Sequence, residues 1–210
     1  MRVRAPAKRK SLKGAIEALR KLPAFKVRDA LSVGIDARTL SRLVEKGVFL
    51  RRARGIFLSS EGSNVSDDIA ASDFRAACKK FGIKAFITGP SALDYYDLTN
   101  TPPSRIWVAV PPSTQSRDRL FRLIRTKEDF SIGVTKKNGY RIASIERALL
   151  DALKFSYVLG RPAVFFALRT AITRETTSFE ALSRMAKTLG RERLFSRYSD
   201  TISPEAFGLE

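Results

Sequence analysis

Apolar residues in the first quarter of the chain recur at helical spacing in three short runs. The runs cover residues 13–22, 26–33 and 36–46. Pro23 stops the first run, and Gly34 supplies a tight turn between the second and the third. Asp36 is a good N-cap for the third run, and Gly47 follows its end. The pattern therefore predicts three helices, the last two separated by a short turn.

Two short apolar segments follow these helices and predict a small hairpin. They are Val48–Leu50 and Ile56–Leu58, joined by the basic stretch Arg51–Gly55. Three helices and a hairpin are the elements of a winged helix-turn-helix, predicted here for residues 13–60. Residues 1–12 are expected to form a flexible basic arm, although a disordered tail fits equally well. The polar stretch Glu61–Ser66 is the candidate domain boundary.

The remaining pattern predicts a C-terminal α/β domain over residues 67–210, with a small mixed sheet and a helical C-terminal part. The fold class is therefore α+β. A helix is expected at 67–81 and strands at 84–88, 105–110, 120–125 and 130–134. Asn138-Gly139 is a hairpin signal. Further helices are expected at 144–158, 162–173, 179–189 and 192–197, the third of these opened by a capping box of Thr177 and Glu180.

The charge is concentrated at the N-terminal end. The net charge is +18, and residues 1–58 hold 16 Lys and Arg against four Asp and Glu. Such an excess favours a polyanionic partner, because like charges otherwise destabilise a compact fold. The chain has no histidine, which excludes histidine catalysis and the usual zinc sites. One cysteine and no long apolar run favour a soluble cytoplasmic protein without a cofactor or membrane partner.

The third helix is the predicted recognition helix, since the second helix of such a motif enters the major groove of DNA. Arg38 and Arg42 lie four residues apart on its outward face, where each guanidinium can donate two hydrogen bonds to a guanine. Thr39 and Ser41 are expected to contact phosphate or a thymine methyl group. The alternative is that both arginines are solvated surface charges, one of them paired with Glu45.

The predicted wing and the second helix supply further candidate DNA contacts. Arg51, Arg52 and Arg54 cluster at the hairpin, where a polyanion would screen their mutual repulsion. Lys26 and Arg28 begin the second helix and are candidates for contacts with the DNA backbone.

An enzymatic alternative rests on two carboxylates of one predicted helix, Glu146 and Asp151. With Mg²⁺ they could serve a nuclease or nucleotidyltransferase that the N-terminal domain only directs to its target. Arg147 and Asp151, however, form an ordinary i,i+4 ion pair, which favours a structural role. An RNA-binding factor is a third hypothesis, disfavoured because the strands lack an exposed aromatic platform.

Four motifs, in this order and spacing, resemble those of a known family. They are R-x-R-G-I-F at 52–57, T-G-P-S-A-L-D-Y-Y-D-L-T at 88–99, the apolar strand 106–110 ending in Pro-Pro, and R-I-A-S-I-E-R-A-L-L-D at 141–151. All four follow the predicted basic helix-turn-helix along the chain, the first of them on the predicted wing. With these motifs, the chain resembles the AbiEi family of abortive-infection antitoxins, the regulatory half of type IV toxin–antitoxin pairs. The sequence departs from the commoner pattern at Asp97, where a glycine often stands.

The resemblance implies a bacterial repressor that binds inverted repeats near the promoter of its own operon. It also implies antagonism of a nucleotidyltransferase-like toxin, without a stable complex between the two proteins. The DNA-binding role would fall on the arginines at 38, 42, 51, 52 and 54, and the family offers no catalytic residue to transfer. An orphan regulator without a toxin would carry the same motifs.

Overall fold

The computed structural model describes residues 11–22, 24–53, 55–59, 68–100 and 102–202, without the side chains of residues 52, 53, 68 and 69. The chain divides into two compact units at the bond between Lys80 and Phe81. Its elements are those of an α+β protein, as predicted. The predicted arm (1–12), except for its last two residues, and the candidate boundary at 61–66 lie outside the described residues. The predicted DNA-binding domain (13–60) and C-terminal domain (67–210) are functional divisions and stay a prediction.

Three helices open the first unit: α1 (Leu12–Arg20), α2 (Val27–Ser32) and α3 (Ala37–Glu45). Serine or aspartate side chains cap two of them. Ser11 Oγ accepts from the Gly14 amide at 3.2 Å, and Asp36 Oδ1 accepts from the Thr39 amide at 2.6 Å. The predicted N-cap at Asp36 is thus confirmed. Gly47, after the end of α3, has a φ of 71°, which glycine adopts without strain.

A three-stranded antiparallel sheet completes this fold, in the order β1-β3-β2. The strands are β1 (Phe25–Lys26), β2 (Phe49–Ala53) and β3 (Ile56–Ser59). The sequence pattern missed β1, and it placed Arg51 and Arg52 in the connection between strands. Both arginines instead belong to β2, where the register shifts between Arg51 and Ala53, so Arg52 is the extra residue of a bulge.

An aromatic cluster joins the three strands in the core of this unit. Phe25, which is fully buried, packs edge-on against Phe49 at 4.9 Å between ring centroids and stacks on Phe57 at 5.6 Å. Leu19 and Leu40 bring α1 and α3 onto the same core. The core therefore holds α3 and β2 in place through side chains from every element around them.

The helix α4 (Asp68–Phe81) lies in the first unit except for its last residue. Two side-chain contacts tie its end to α2. Lys79 Nζ lies 2.8 Å from Asp29 Oδ2, and Lys26 Nζ donates to the Lys80 carbonyl at 3.5 Å. Asp29 Oδ2 also accepts from the Lys26 amide at 2.9 Å. Burial raises the pKa of Asp29, but these bonds outweigh it and leave that pKa below its usual value.

The second unit contains a five-stranded mixed sheet in the order β6-β5-β4-β8-β7. The strands are β4 (Phe86–Ile87), β5 (Ile106–Val110), β6 (Phe121–Arg125), β7 (Val134–Lys137) and β8 (Tyr140–Ala143). Every residue of β5 is buried, which fits its apolar sequence. Gly139, with a φ of 85°, makes the predicted hairpin turn between β7 and β8. The strand predicted at 130–134 is wrong, because β7 begins at Val134.

Helices cover this sheet and make up the rest of the unit. They are α5 (Gly89–Tyr95), α6 (Ile145–Lys154), α7 (Ser156–Leu159), α8 (Arg161–Thr173), α9 (Phe179–Thr188), α10 (Glu192–Ser196) and α11 (Ser199–Ile202). The predicted capping box at Thr177 is wrong. Ser178 caps α9 by accepting from the Ala181 amide, while Thr177 Oγ1 donates to Glu146 at 2.9 Å. The helices of the described residues include none with the length and apolar character that a membrane span requires.

Candidate nucleic-acid interface

The helix α3 buries one side and exposes the other, as the sequence pattern predicted. Leu40 and Leu43 are 2% and 7% exposed, whereas Arg38, Ser41 and Arg42 are exposed. Because positions four apart lie one above the other on a helix, Arg38 and Arg42 share a face. Among the described residues no ion pair joins either arginine to Glu45, so the alternative pairing with Glu45 is not found. Arg38 does lie close enough to Asp36 for its positive charge to help lower the pKa of that carboxyl. Both guanidiniums are available to an external ligand.

The two hydroxyl residues of α3 are partly occupied by local bonds. Ser41 Oγ donates to the Ala37 carbonyl of the same helix at 3.0 Å. Thr39 is half-buried, and its amide and hydroxyl both donate to Asp36 and lower the pKa of that carboxyl. The Asp36 carboxylate therefore fixes the start of the helix, just before the arginine face. Thr39 is thus better placed to support the helix end than to reach a base.

The strand β2 brings a second set of basic residues to the surface. Phe49 is fully buried and Leu50 is 51% exposed, as expected for a strand with one covered face. Arg51 is also exposed, directly before the bulge at Arg52. Leu50, beside Arg51, was not singled out from the sequence. The side chain of Arg52 and all of Arg54 lie outside the described residues.

The two candidates at the start of α2 differ in their surroundings. Arg28 is 78% exposed at its side chain, and its Nε lies 3.7 Å from Asp29 Oδ1. Lys26 is half-buried, with its ammonium on the Lys80 carbonyl. Burial, with the neighbouring charges of Arg28 and Lys79, lowers the pKa of Lys26. Lys26 thus has a role inside the unit, and its contact with DNA stays a prediction.

The carboxylates of the enzymatic alternative lie in different surroundings. Asp151 is buried in a network with two arginines, in which Arg191 Nη2 donates to Asp151 Oδ1 at 2.6 Å. Arg147 Nε lies 3.9 Å from Asp151 Oδ2, which also accepts a short hydrogen bond from Thr88. Glu146 instead accepts from Thr177. The described residues contain no group of three or more side chains suited to a metal ion.

Glu128 closes this network from the loop that follows β6. Its carboxylate accepts from Arg191 at 2.5 and 3.0 Å and from Arg147 at 3.2 Å. Burial raises the pKa of Glu128, but the bonds and charges of Arg191 and Lys154 outweigh it and leave the pKa lowered. Arg147 is fully buried and also donates to the carbonyls of Asp129 and Ile132. All of these contacts are internal, which is the pattern of a structural network.

The comparison with protein families identifies the N-terminal segment. A family model described as "Transcriptional regulator, AbiEi antitoxin" matches residues 15–60. This segment resembles the AbiEi antitoxin regulators. The resemblance seen in the sequence is therefore confirmed there, over α1–α3 and the sheet that holds them.

The fold as a whole has a counterpart among solved structures. The crystal structure of the RV2827C protein from Mycobacterium tuberculosis superposes with a TM-score of 0.56 at 14% identity, over 86% of this chain and 73% of that one. At this identity the likeness concerns the fold alone. A comparison with curated proteins gives no match.

One departure from the AbiEi pattern has a structural consequence. Asp97, where the pattern often has glycine, adopts a φ of 56°. Aspartate tolerates this left-handed conformation better than most residues do. Arg174 Nη1 donates to the Asp97 carbonyl at 2.8 Å and to its carboxylate at 3.2 Å, which holds the strained turn.

Proposed function

We propose that residues 13–60 form a winged helix-turn-helix that binds double-stranded DNA, with α3 as the recognition helix and β2–β3 as the wing. The order of the elements supports this assignment, since β1 lies between α1 and α2 and the β2–β3 hairpin follows α3. The positive φ of Gly34, 91°, makes the turn between α2 and α3.

The observation that carries the proposal is the arginine face of α3. Its core side is fixed by Leu40 and Leu43, and its first turn is capped by Asp36, so the helix is held rigidly. Arg38 and Arg42 are then exposed on the opposite side, in an N-terminal segment with a net charge of +12 (16 basic against four acidic residues). A packed and capped helix with two exposed guanidiniums suits bidentate contacts with guanine.

The match to AbiEi antitoxin regulators supports a more specific role. The protein acts as a transcriptional repressor in the cytoplasm and binds inverted repeats in the promoter of its own operon. It is the non-enzymatic antitoxin of a nucleotidyltransferase-like toxin and forms no stable complex with it. This role requires a nucleotidyltransferase gene beside its own; without one, the chain is an orphan regulator.

Replacing Arg42 with alanine is expected to reduce discrimination between operator and random DNA by about 5- to 150-fold, since a bidentate base contact contributes about 1–3 kcal/mol. The measurement is a titration of the purified protein with a promoter fragment and with a random duplex of equal length, both at 150 mM salt.

The matched control is Arg42→Lys, which keeps the charge but not the planar fork of donors. It should hold random DNA as tightly as the unaltered protein while losing discrimination. If Arg42→Ala and the unaltered protein discriminated equally well, base contact by α3 would be wrong.

Replacing Arg51 with glutamine is expected to weaken specific and random DNA alike. Each lost phosphate contact lowers the slope of log affinity against log salt by about 0.9. The slope should therefore fall by about one for Arg51→Gln and stay unchanged for Arg184→Gln, which removes an exposed charge from α9. Equal salt slopes for the unaltered protein, Arg51→Gln and Arg184→Gln would show that Arg51 of the wing does not contact DNA phosphates.

A further inference from the structure

The second unit contains a cavity of about 630 Å³ beside β5. This volume is typical of sites that hold small organic molecules. Its lining is mainly apolar and includes Trp107, Leu93 and Val164, with three prolines, Pro90, Pro102 and Pro103. Proline and tryptophan side chains have few rotatable bonds, so the residues that line the cavity lose little conformational entropy when a ligand binds. The cavity is thus suited to a rigid apolar body.

Two arginines supply the charge of the cavity, and its lining contains no carboxylate among the described residues. Arg122 lies on β6 with its guanidinium 4.7 Å from the ring centroid of Trp107, and Arg105 directly precedes β5. Neither guanidinium has a carboxylate partner in the described part of the chain. Two uncompensated positive charges beside an apolar wall favour an anion with an apolar body.

The position of Arg122 indicates that the apolar part of the ligand is an aromatic ring. Its guanidinium carbon lies over the ring of Trp107, and a planar guanidinium that contacts one ring can stack on a further ring through its other face. Trp107 is itself 5% exposed and makes a T-shaped contact with the Phe155 ring, 5.8 Å away between centroids. Ser91 Oγ fixes the backbone there by accepting from the Trp107 amide at 2.9 Å. The platform is therefore in place before a ligand arrives.

We propose that this cavity binds a small aromatic anion, whose ring stacks on Arg122 and whose phosphate or carboxylate group pairs with Arg105. The DNA-binding proposal concerns the other unit, so either can fail without the other. Trp107 is the only tryptophan of the chain and lines this cavity, so its fluorescence can follow ligand binding there.

The test is a titration of the full-length protein, followed by Trp107 fluorescence and by calorimetry. Phenyl phosphate and benzoate are the two probes, and they distinguish a phosphate ligand from a carboxylate ligand. Saturable binding of at least one probe is expected. Benzyl alcohol, which lacks the charge, and inorganic phosphate, which lacks the ring, should each bind at least about 10-fold more weakly, because each loses one half of the recognition.

Arg105→Gln should weaken binding of the tighter probe by about 10-fold or more, since a charge-assisted hydrogen bond is lost. Arg119→Gln removes an exposed arginine outside the cavity and should change binding less than about twofold. Unaltered thermal unfolding of both variants establishes that they are folded. No saturable binding of either probe, or equal binding by Arg105→Gln and Arg119→Gln, would overturn the proposal.

Discussion

Replacing Asp151 with alanine is expected to lower the free energy of unfolding of the second unit by about 3–5 kcal/mol. The change leaves Arg147 and Arg191, 0% and 8% exposed, with the single carboxylate of Glu128 between them. A buried charge that loses its partner cannot recover its hydration, so the folded state bears the cost. Unfolding in urea followed by Trp107 fluorescence measures this effect, because Trp107 lies in the second unit.

Two further variants separate charge from hydrogen bonding in this network. Asp151→Asn keeps an acceptor for Arg191 and Thr88 but not the charge, so its loss of stability should be smaller than that of Asp151→Ala. Asp200→Ala removes an exposed carboxylate of the same unit and should change stability by less than about 0.5 kcal/mol. Equal free energies of unfolding for Asp151→Ala and Asp200→Ala would show that the charges around Asp151 remain hydrated in the folded protein.

Replacing Phe25 with alanine is expected to destabilise the first unit by about 3–5 kcal/mol, the usual cost of removing a buried phenylalanine. Phe25 contacts both Phe49 of β2 and Phe57 of β3, so its loss loosens the whole sheet. Amide hydrogen exchange of residues 11–53 should accelerate, and affinity for the promoter fragment should fall.

The control for this variant is Leu31→Ala, which removes a side chain that is 55% exposed on α2. It should leave hydrogen exchange and DNA affinity nearly unchanged. The urea transition of Trp107 should stay in place in both variants, because that residue belongs to the other unit. Unchanged exchange in Phe25→Ala would contradict the role of the aromatic cluster, and a shifted Trp107 transition would show that the two units unfold together.

The elements that the sequence predicts best are those whose signals are local. Asp36 and Gly47 mark the two ends of α3 within a dozen residues, and both signals act through the backbone of that helix. The two-residue strand β1 carries no periodicity, because its existence depends on pairing with β3 about 30 residues later. No pattern within residues 25–26 could have revealed it.

The strand expected at 130–134 fails for a similar reason. Its apolar pattern is suited to a strand, but only Val134 pairs with β8, and two carbonyls earlier in the segment bond to side chains instead of a neighbouring strand. The Phe130 carbonyl accepts from Arg141, and the Ile132 carbonyl accepts from Arg147 at 2.5 Å. These donors come from β8 and α6, so the competition exists only in the folded chain.

The candidate sites were predictable to different degrees. Helical periodicity placed Arg38 and Arg42 on an exposed face, since burial of Leu40 and Leu43 requires it. The ion pair of Arg147 and Asp151 was visible from their spacing, but Arg191, 40 positions further on, was not. The cavity beside β5 likewise gathers residues from several elements, and only the fold brings Arg105 and Arg122 to it.

The packing around Gly133 bears on how relatives of this chain can be recognised. Gly133 has a φ of 59°, and a Cβ there would lie 3.0 Å from both Arg147 Cβ and Met185 Cε. A larger residue at this position would therefore push against the side chain at the centre of the buried network. Four positions are therefore coupled by packing and ion pairs: glycine at 133, arginine at 147, aspartate at 151 and arginine at 191. Sequences too divergent to align by identity can be compared by whether they keep all four residues.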